Sequence, residues 1–138
     1  MIEGWHNEDY LILFEGKQEE ALFTQRYGVA DYLPRYAAIG LWGWDDFLLR
    51  DEKTQYYTVA TVPISAEFLH PFPIRIDSAN VRQDAKLVGK IKWYIKPIIF
   101  GGDPQAAENM AWLSFDQHIK AVKWWNKLYR DVKGKTGK

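Results

Sequence analysis

Cysteine is absent from this chain of 138 residues. A disulfide framework and thiolate metal sites are thereby excluded, and the usage is that of a reducing compartment, so a cytoplasmic location is expected. No uncharged apolar run approaches the roughly 20 residues that cross a bilayer, and the opening MIEGWHNED is acidic where a signal peptide is basic. No membrane association is expected. Histidine is scarce too: His6, His70 and His118 lie far apart, none with a second ligand four residues on along a helix. No metal and no cofactor are therefore expected.

The glycine pair in IIFGGDPQAAEN has the look of a phosphate cradle but lacks its working parts. A phosphate loop needs a following lysine and a hydroxyl at fixed spacing, and a dinucleotide fingerprint needs three spaced glycines. Neither is present. Asp103 instead caps a turn that begins at Pro104, its carboxylate accepting backbone N–H groups, while Gly101 and Gly102 allow backbone angles that a Cβ forbids. A general base at His118, with Asp103 or Asp116 as its carboxylate, is the starting point for a small hydrolase-like enzyme. No nucleophile signature accompanies it. A structural, hydrogen-bonded histidine fits better, so no catalytic residue is assigned.

What the chain has in quantity is apolar and aromatic surface: hydrophobic residues make up 47%, aromatics 16%, with seven tryptophans. That suffices for one self-sufficient core, hence a single domain over residues 1–138 with 132–138 as a flexible tail. Net charge is zero, yet residues 1–20 carry six acids against Lys17 and residues 118–138 carry seven bases against Asp131. A basic C-terminal helix is what the helix dipole favours without any ligand. A nucleic-acid-binding module using Lys120, Lys123, Lys127 and Arg130 is the competing reading, and no nucleic-acid motif supports it.

Along the chain, Tyr10 to Phe14 reads as a buried strand and Gln18 to Tyr27 as a helix stopped by Gly28. From Tyr36 the text alternates strand and turn: YAAIGL, WGWD, DFLLRD, DEKT, QYYTVAT, an antiparallel meander. PISAEFL, with Pro63 at the first helical position, predicts a short helix that HPFP ends. Residues 77–89 are polar and irregular, a surface loop. Lys90 to Lys96 alternates, with Ile91, Trp93 and Ile95 facing one way, and Ile98 to Phe100 is expected to continue in extended form beyond Pro97. The last helix, Phe115 to Val132, opens on the capping-box pair Ser114 and Gln117 and places Phe115, Ile119, Val122, Trp125, Tyr129 and Val132 on one apolar face, leaving Trp124 on a flank. The fold class is α+β: an antiparallel meander packed against helices, with a long C-terminal helix.

The hairpin between the first two strands of the meander is the candidate site. Trp42 and Trp44 flank Gly43, as core if covered and as aromatic anchors for a partner if exposed. Asp45 and Asp46, adjacent on a strand, are expected to point to opposite faces. With Asp51 and Glu52 they gather negative charge in a short span, which suits a basic partner.

YLPRYAAIGLWGWDDFLLRD followed by QYYTVATVPISAEFLHPF resembles the SUKH superfamily, the Smi/Knr-type proteins, over residues 18–72. Leu33, Pro34, Ile39, Gly40, Gly43, Phe47, Ser65, Phe68 and Leu69 carry the match. The chain departs from it in placing Trp44-Asp45-Asp46 where glycine-rich text is common. The resemblance implies an α+β fold and a non-enzymatic role, that of a bacterial immunity protein that binds and neutralises a toxin domain.

Overall fold

Six strands follow one another in a single antiparallel sheet whose spatial order is their chain order: β1 (Ile2–His6), β2 (Asp9–Leu13), β3 (Ala37–Trp42), β4 (Asp46–Arg50), β5 (Tyr56–Ala60) and β6 (His70–Pro71). The structure, a computed structural model, describes the chain apart from Ile74, Arg75, Asp77, Gly137 and Lys138. Between β2 and β3 run helix α1 (Gly16–Tyr27) and the four-residue α2 (Val29–Tyr32). After β6 come β7 (Ile91–Tyr94) and β8 (Met110–Leu113), paired in a second, two-stranded sheet, and the long helix α3 (Phe115–Thr136).

Both faces of the large sheet are covered, which explains why YLILF and DFLLR read as continuous apolar runs rather than alternating ones. Tyr10, Ile12, Ala38, Leu41, Phe47, Leu49 and Val59 face the helices and meet Phe23 and Tyr27 of α1, Ile119 and Val122 of α3, and Ile91 and Trp93 of β7. Leu11, Ile39 and Leu48 point the other way, under Trp42, Phe72, Ile76 and Val81. The α+β architecture and the long C-terminal helix are as read from the sequence.

Local chemistry sets the ends. Gly28 adopts the left-handed conformation and its N–H closes on the carbonyls of Thr24 and Gln25, stopping α1. At the start of α3 the capping box forms in both directions: the Gln117 N–H donates to Ser114 Oγ at 3.2 Å, and the Ser114 N–H to Gln117 Oε1 at 3.0 Å. Ile119 and Val122 are buried and Phe115, Trp125 and Tyr129 pack half-buried, but Val132, expected on the same face, is exposed in the helix's last turns.

Several expectations need correction. Pro63 does not begin a helix: it follows a cis peptide bond, and the only helical turn there is Ala66–Phe68, capped by Ser65. Ile98–Phe100 is not extended but a tight 3₁₀ turn closed by Gly101, because the Phe100 and Gly101 N–H groups turn back onto Pro97 and Ile98. Ile95 lies beyond the last residue of β7, so the alternation lapses and it is exposed. The helix α3 continues to Thr136, past the expected start of the tail, and Gly137 and Lys138 lie outside the described residues. In the loop over 77–89, a short helical turn at Ser78–Asn80 and a bridge from Arg82 to Trp5 add local order, with Asp77 outside the described residues.

Candidate functional site

The hairpin tip joining β3 to β4 is Gly43, Trp44 and Asp45, with Trp42 opposite Asp46. Gly43 and Trp44 both have positive φ, 61° and 63°. Glycine tolerates this, whereas a bulky residue there costs about 1–3 kcal/mol and has to be held by its surroundings. Trp44 is so held: its indole stacks on Tyr10 at 4.7 Å and meets the edges of Trp5 and Trp112 at 5.8 and 5.3 Å. The Gly43 N–H donates to the Tyr10 carbonyl at 2.7 Å and the Thr61 N–H to the Asp45 carbonyl at 3.0 Å, pinning the turn from both sides. Trp44 is thus a half-buried wall, its Nε1 buried with no hydrogen-bond partner among the described residues. Trp42 lies on the other face of the sheet, against His6 and Phe72. The two indoles do not form one anchor.

The acidic residues separate as well. Asp51 and Glu52 sit at the far end of β4, about 17 Å along a five-residue strand. There the Asp51 carboxylate accepts the N–H groups of Lys53 and Gln55 at 2.9 and 2.8 Å, which makes it a turn residue. Asp45 and Asp46, expected on opposite faces, line the same cleft. Strand alternation does not apply to them, because Asp45 belongs to the turn and only Asp46 to the strand.

That cleft, of about 450 Å³, lies between the tip and β7. Its walls are Thr61, Val62 and Pro63, the ring of Phe68, Trp93 and Tyr94 of β7, and Pro97 to Ile99. Among the described residues, Asp45 and Asp46 are the only charged groups in that lining. Although Asp45 remains accessible to water, loss of hydration pushes its carboxyl up to about 6, with Lys92 opposing and Asp46 reinforcing. Asp46 is raised for the same reason, against the field of His70.

Beside the cleft stands the outer face of the second sheet, which the sequence reading missed because β8 was not recognised. Ile91, Trp93, Ala111 and Leu113 turn inward, while Lys92, Tyr94, Met110 and Trp112 turn out. Trp112 is 41% exposed although it touches Trp44, and Ile98 and Ile99 at the cleft mouth are 53% and 47% exposed. Large apolar side chains gathered on one side mark a surface for contact. MAWL is apolar throughout, so its alternation out and in is visible only in the structure.

The remaining candidates resolve structurally. His118 is fully buried in the core; the Tyr27 hydroxyl and its Nδ1 are 2.7 Å apart, and Trp93 packs edge-on against the ring. Burial drives its pKa down to about 3. Of its two expected carboxylates, Asp116 pairs with Arg26 at 2.8 Å, and Asp103 accepts the Gln105 N–H at 2.8 Å in the turn expected for it. A Cβ on Gly102 would stand 1.8 Å from the Lys96 carbonyl oxygen, so the glycine is there for close backbone packing. Trp124 is 59% exposed and shares a groove of α3 with Lys120, Lys123 and Lys127. Among the described residues no cluster of three or more His, Asp or Glu is arranged to hold a metal ion, and no helix is long and apolar enough to cross a membrane.

Compared with models of known families, with curated proteins and with solved structures, the chain matches none. Its function has to be read from its own surface.

Proposed function

We propose that the protein is a non-enzymatic protein-binding module, an immunity protein that neutralises a bacterial toxin, and that it binds through the outer face of β7 and β8 together with the hairpin tip. The observation that carries the binding reading is the exposed pair Met110 and Trp112 beside the half-buried Tyr94, continued by Ile98 and Ile99 and buttressed by Trp44. Partner-facing anchors of this kind are aromatic residues set on rigid elements, and here a paired sheet and a pinned turn supply the rigidity. The toxin as partner is supported by the SUKH resemblance of residues 18–72. Relative to the sequence reading, Trp42, Asp51 and Glu52 leave the proposed surface and Trp112, Met110 and Tyr94 enter it.

The test is a complex isolated from the native host, its affinity then measured by calorimetry for the parent and for Trp112→Ala. A hot-spot tryptophan loses about 2 kcal/mol or more, some thirtyfold in Kd. Unchanged affinity for Trp112→Ala with an intact circular dichroism spectrum overturns the proposed surface. A nucleic acid that binds along Lys120, Trp124 and Lys127, or a small molecule that is turned over, overturns the module reading itself.

A further inference from the structure

Carboxylates that face inward elsewhere in this protein have partners. Glu20 pairs with Arg50 at 2.6 Å, Glu3 accepts the Tyr10 hydroxyl at 2.6 Å, and Asp84 accepts the Trp5 indole N–H at 3.1 Å. Asp45 and Asp46 are different: neither carboxylate has a hydrogen-bond or ion-pair partner among the described residues, and both residues line an otherwise apolar cleft, Asp46 half-buried and Asp45 still open to water. Two adjacent like charges beside apolar walls disfavour one another, and a cation from outside the chain relieves that cost. Lys92 acts on Asp45 only through its field: its ammonium lies 5.4 Å from the Tyr94 ring centroid and makes no ion pair among the described residues.

The walls narrow the class of cation. Phe68, Trp93 and Tyr94 offer aromatic surface and Ile98 and Ile99 aliphatic surface. Such a lining suits a charge carried on an apolar stem and disfavours a hydrated metal ion, which needs oxygen ligands on several sides. A planar guanidinium matches best, since it is weakly hydrated, stacks on aromatic rings and bonds two carboxylates at once. At about 450 Å³ the cleft has room for one such side chain and an apolar neighbour. Tyr94 lines the cleft and pairs with Met110 across the second sheet, so the cleft adjoins the proposed binding face.

We propose that the cleft receives a basic side chain of a protein partner, arginine in preference to lysine, with its head on Asp45 and Asp46 and its stem along Trp93 and Ile98. The source of that side chain rests on the protein-binding reading above; the preference for a cation on an apolar stem is a property of the cleft alone and can be measured without the partner. It also explains why charges are kept in a position that weakens the fold.

The measurement is an amide and indole NMR titration of the full chain at pH 7.5 with n-butylguanidinium, n-butylammonium, and the neutral, near-isosteric n-butylurea. Saturable shifts are expected at residues 45–46 and 93–99, with the guanidinium binding about tenfold more tightly than the urea and the ammonium between them. Asp45→Asn/Asp46→Asn should bring the guanidinium down to the level of the urea while leaving urea binding and spectral dispersion intact. Acidification to pH 5 should weaken guanidinium binding as Asp45 takes up a proton. His70 faces Asp46 and Lys92 acts on Asp45, so the comparison is repeated in His70→Gln. Equal affinity for urea and guanidinium, or guanidinium binding unchanged in the double variant, overturns the proposal. If that happens while Trp112→Ala still weakens the partner complex, only the cationic pocket falls; if both tests fail, the binding surface falls with it.

Discussion

One short segment, Thr61 to Ile64, divides two polar sites that solve the same problem in opposite ways. On its inner side the buried Asn126 of α3 uses every hydrogen-bonding group it has: Nδ2 donates to the carbonyls of Thr61 and Val122 at 2.7 and 2.8 Å, and Oδ1 accepts the Ile64 N–H and Arg130 Nη1, both at 2.7 Å. Arg130 adds a hydrogen bond from Nη2 to the Ile64 carbonyl and places its guanidinium 3.8 Å from the Tyr32 ring centroid. On the outer side, Thr61, Val62 and Pro63 form a wall of the cleft that holds Asp45 and Asp46, and among the described residues those carboxylates have no hydrogen-bond or ion-pair partner, only the fields of Lys92 and His70. Asn126 holds the fold together with partners supplied from within, whereas the buried Trp44 Nε1 and His118 Nε2 have none among the described residues. Carboxylates left without a partner beside an apolar wall are positioned for something that arrives from outside.

The sharpest way to break this contrast is to leave the inner side unanswered too. Asn126→Ala strands the Ile64 N–H and the Thr61 carbonyl in the core, and a cost of about 3–5 kcal/mol is expected. Reversible urea unfolding measures it. A loss below about 1 kcal/mol would mean that water replaces the carboxamide and that the inner side is not closed.

A smaller effect comes from His118, the other inward polar group. Its folded pKa of about 3 lies below the unfolded value of 6.5. Stability from the neutral ring is therefore full above pH 6.5 and is lost as pH falls through that window. Asp45 acts with the opposite sign over part of the same range, so the informative quantity is a difference between proteins. Relative to the parent, Tyr27→Phe/His118→Leu, which removes the titrating ring and its partner together, should gain about 2 kcal/mol between pH 7.5 and pH 5. A parallel pH dependence in the two proteins would show that His118 titrates normally and that the core around it admits water.

The inner side was more legible in the sequence than the outer one, for physical reasons. Apolar runs bounded by turns, the Ser114–Gln117 capping box and the Gly28 stop each depend on contacts within a few residues, and all of them formed. Strand β1 was not recognised, since Glu3, Gly4 and His6 dilute its apolar pattern, and β8 is too short for periodicity to show. The cleft draws on residues near 45, 62, 68, 93 and 98, which no spacing rule connects. Its acidic pair depended on backbone geometry that runs against residue preference: with Trp44 in the left-handed region, the turn extends one residue further than alternation assumes, and Asp45 swings to the side of Asp46.

The smallest expected effect is the one that most directly compares the two sides. If Asp45 is held in place for a partner, then on its own it weakens the fold, and removing its charge should help. Its folded pKa, about 6, lies above the usual carboxylate value of 3.8, so the folded protein holds that proton more tightly than the unfolded chain does. The parent therefore loses stability as pH rises from about 4 to about 6, while below 4 both states carry the proton and the penalty vanishes. Asp45→Asn, which keeps the size and removes the charge, should raise Tm by on the order of 2 °C at pH 7.5, with no difference at pH 3.5. Because the carboxyl is still reached by water and opposed by Lys92, a larger gain is not expected. Calorimetry at the two pH values decides the matter. A variant that melts below its parent at pH 7.5 would show that the charge stabilises the tip, and the cleft would then join Asn126 among the sites that serve the fold.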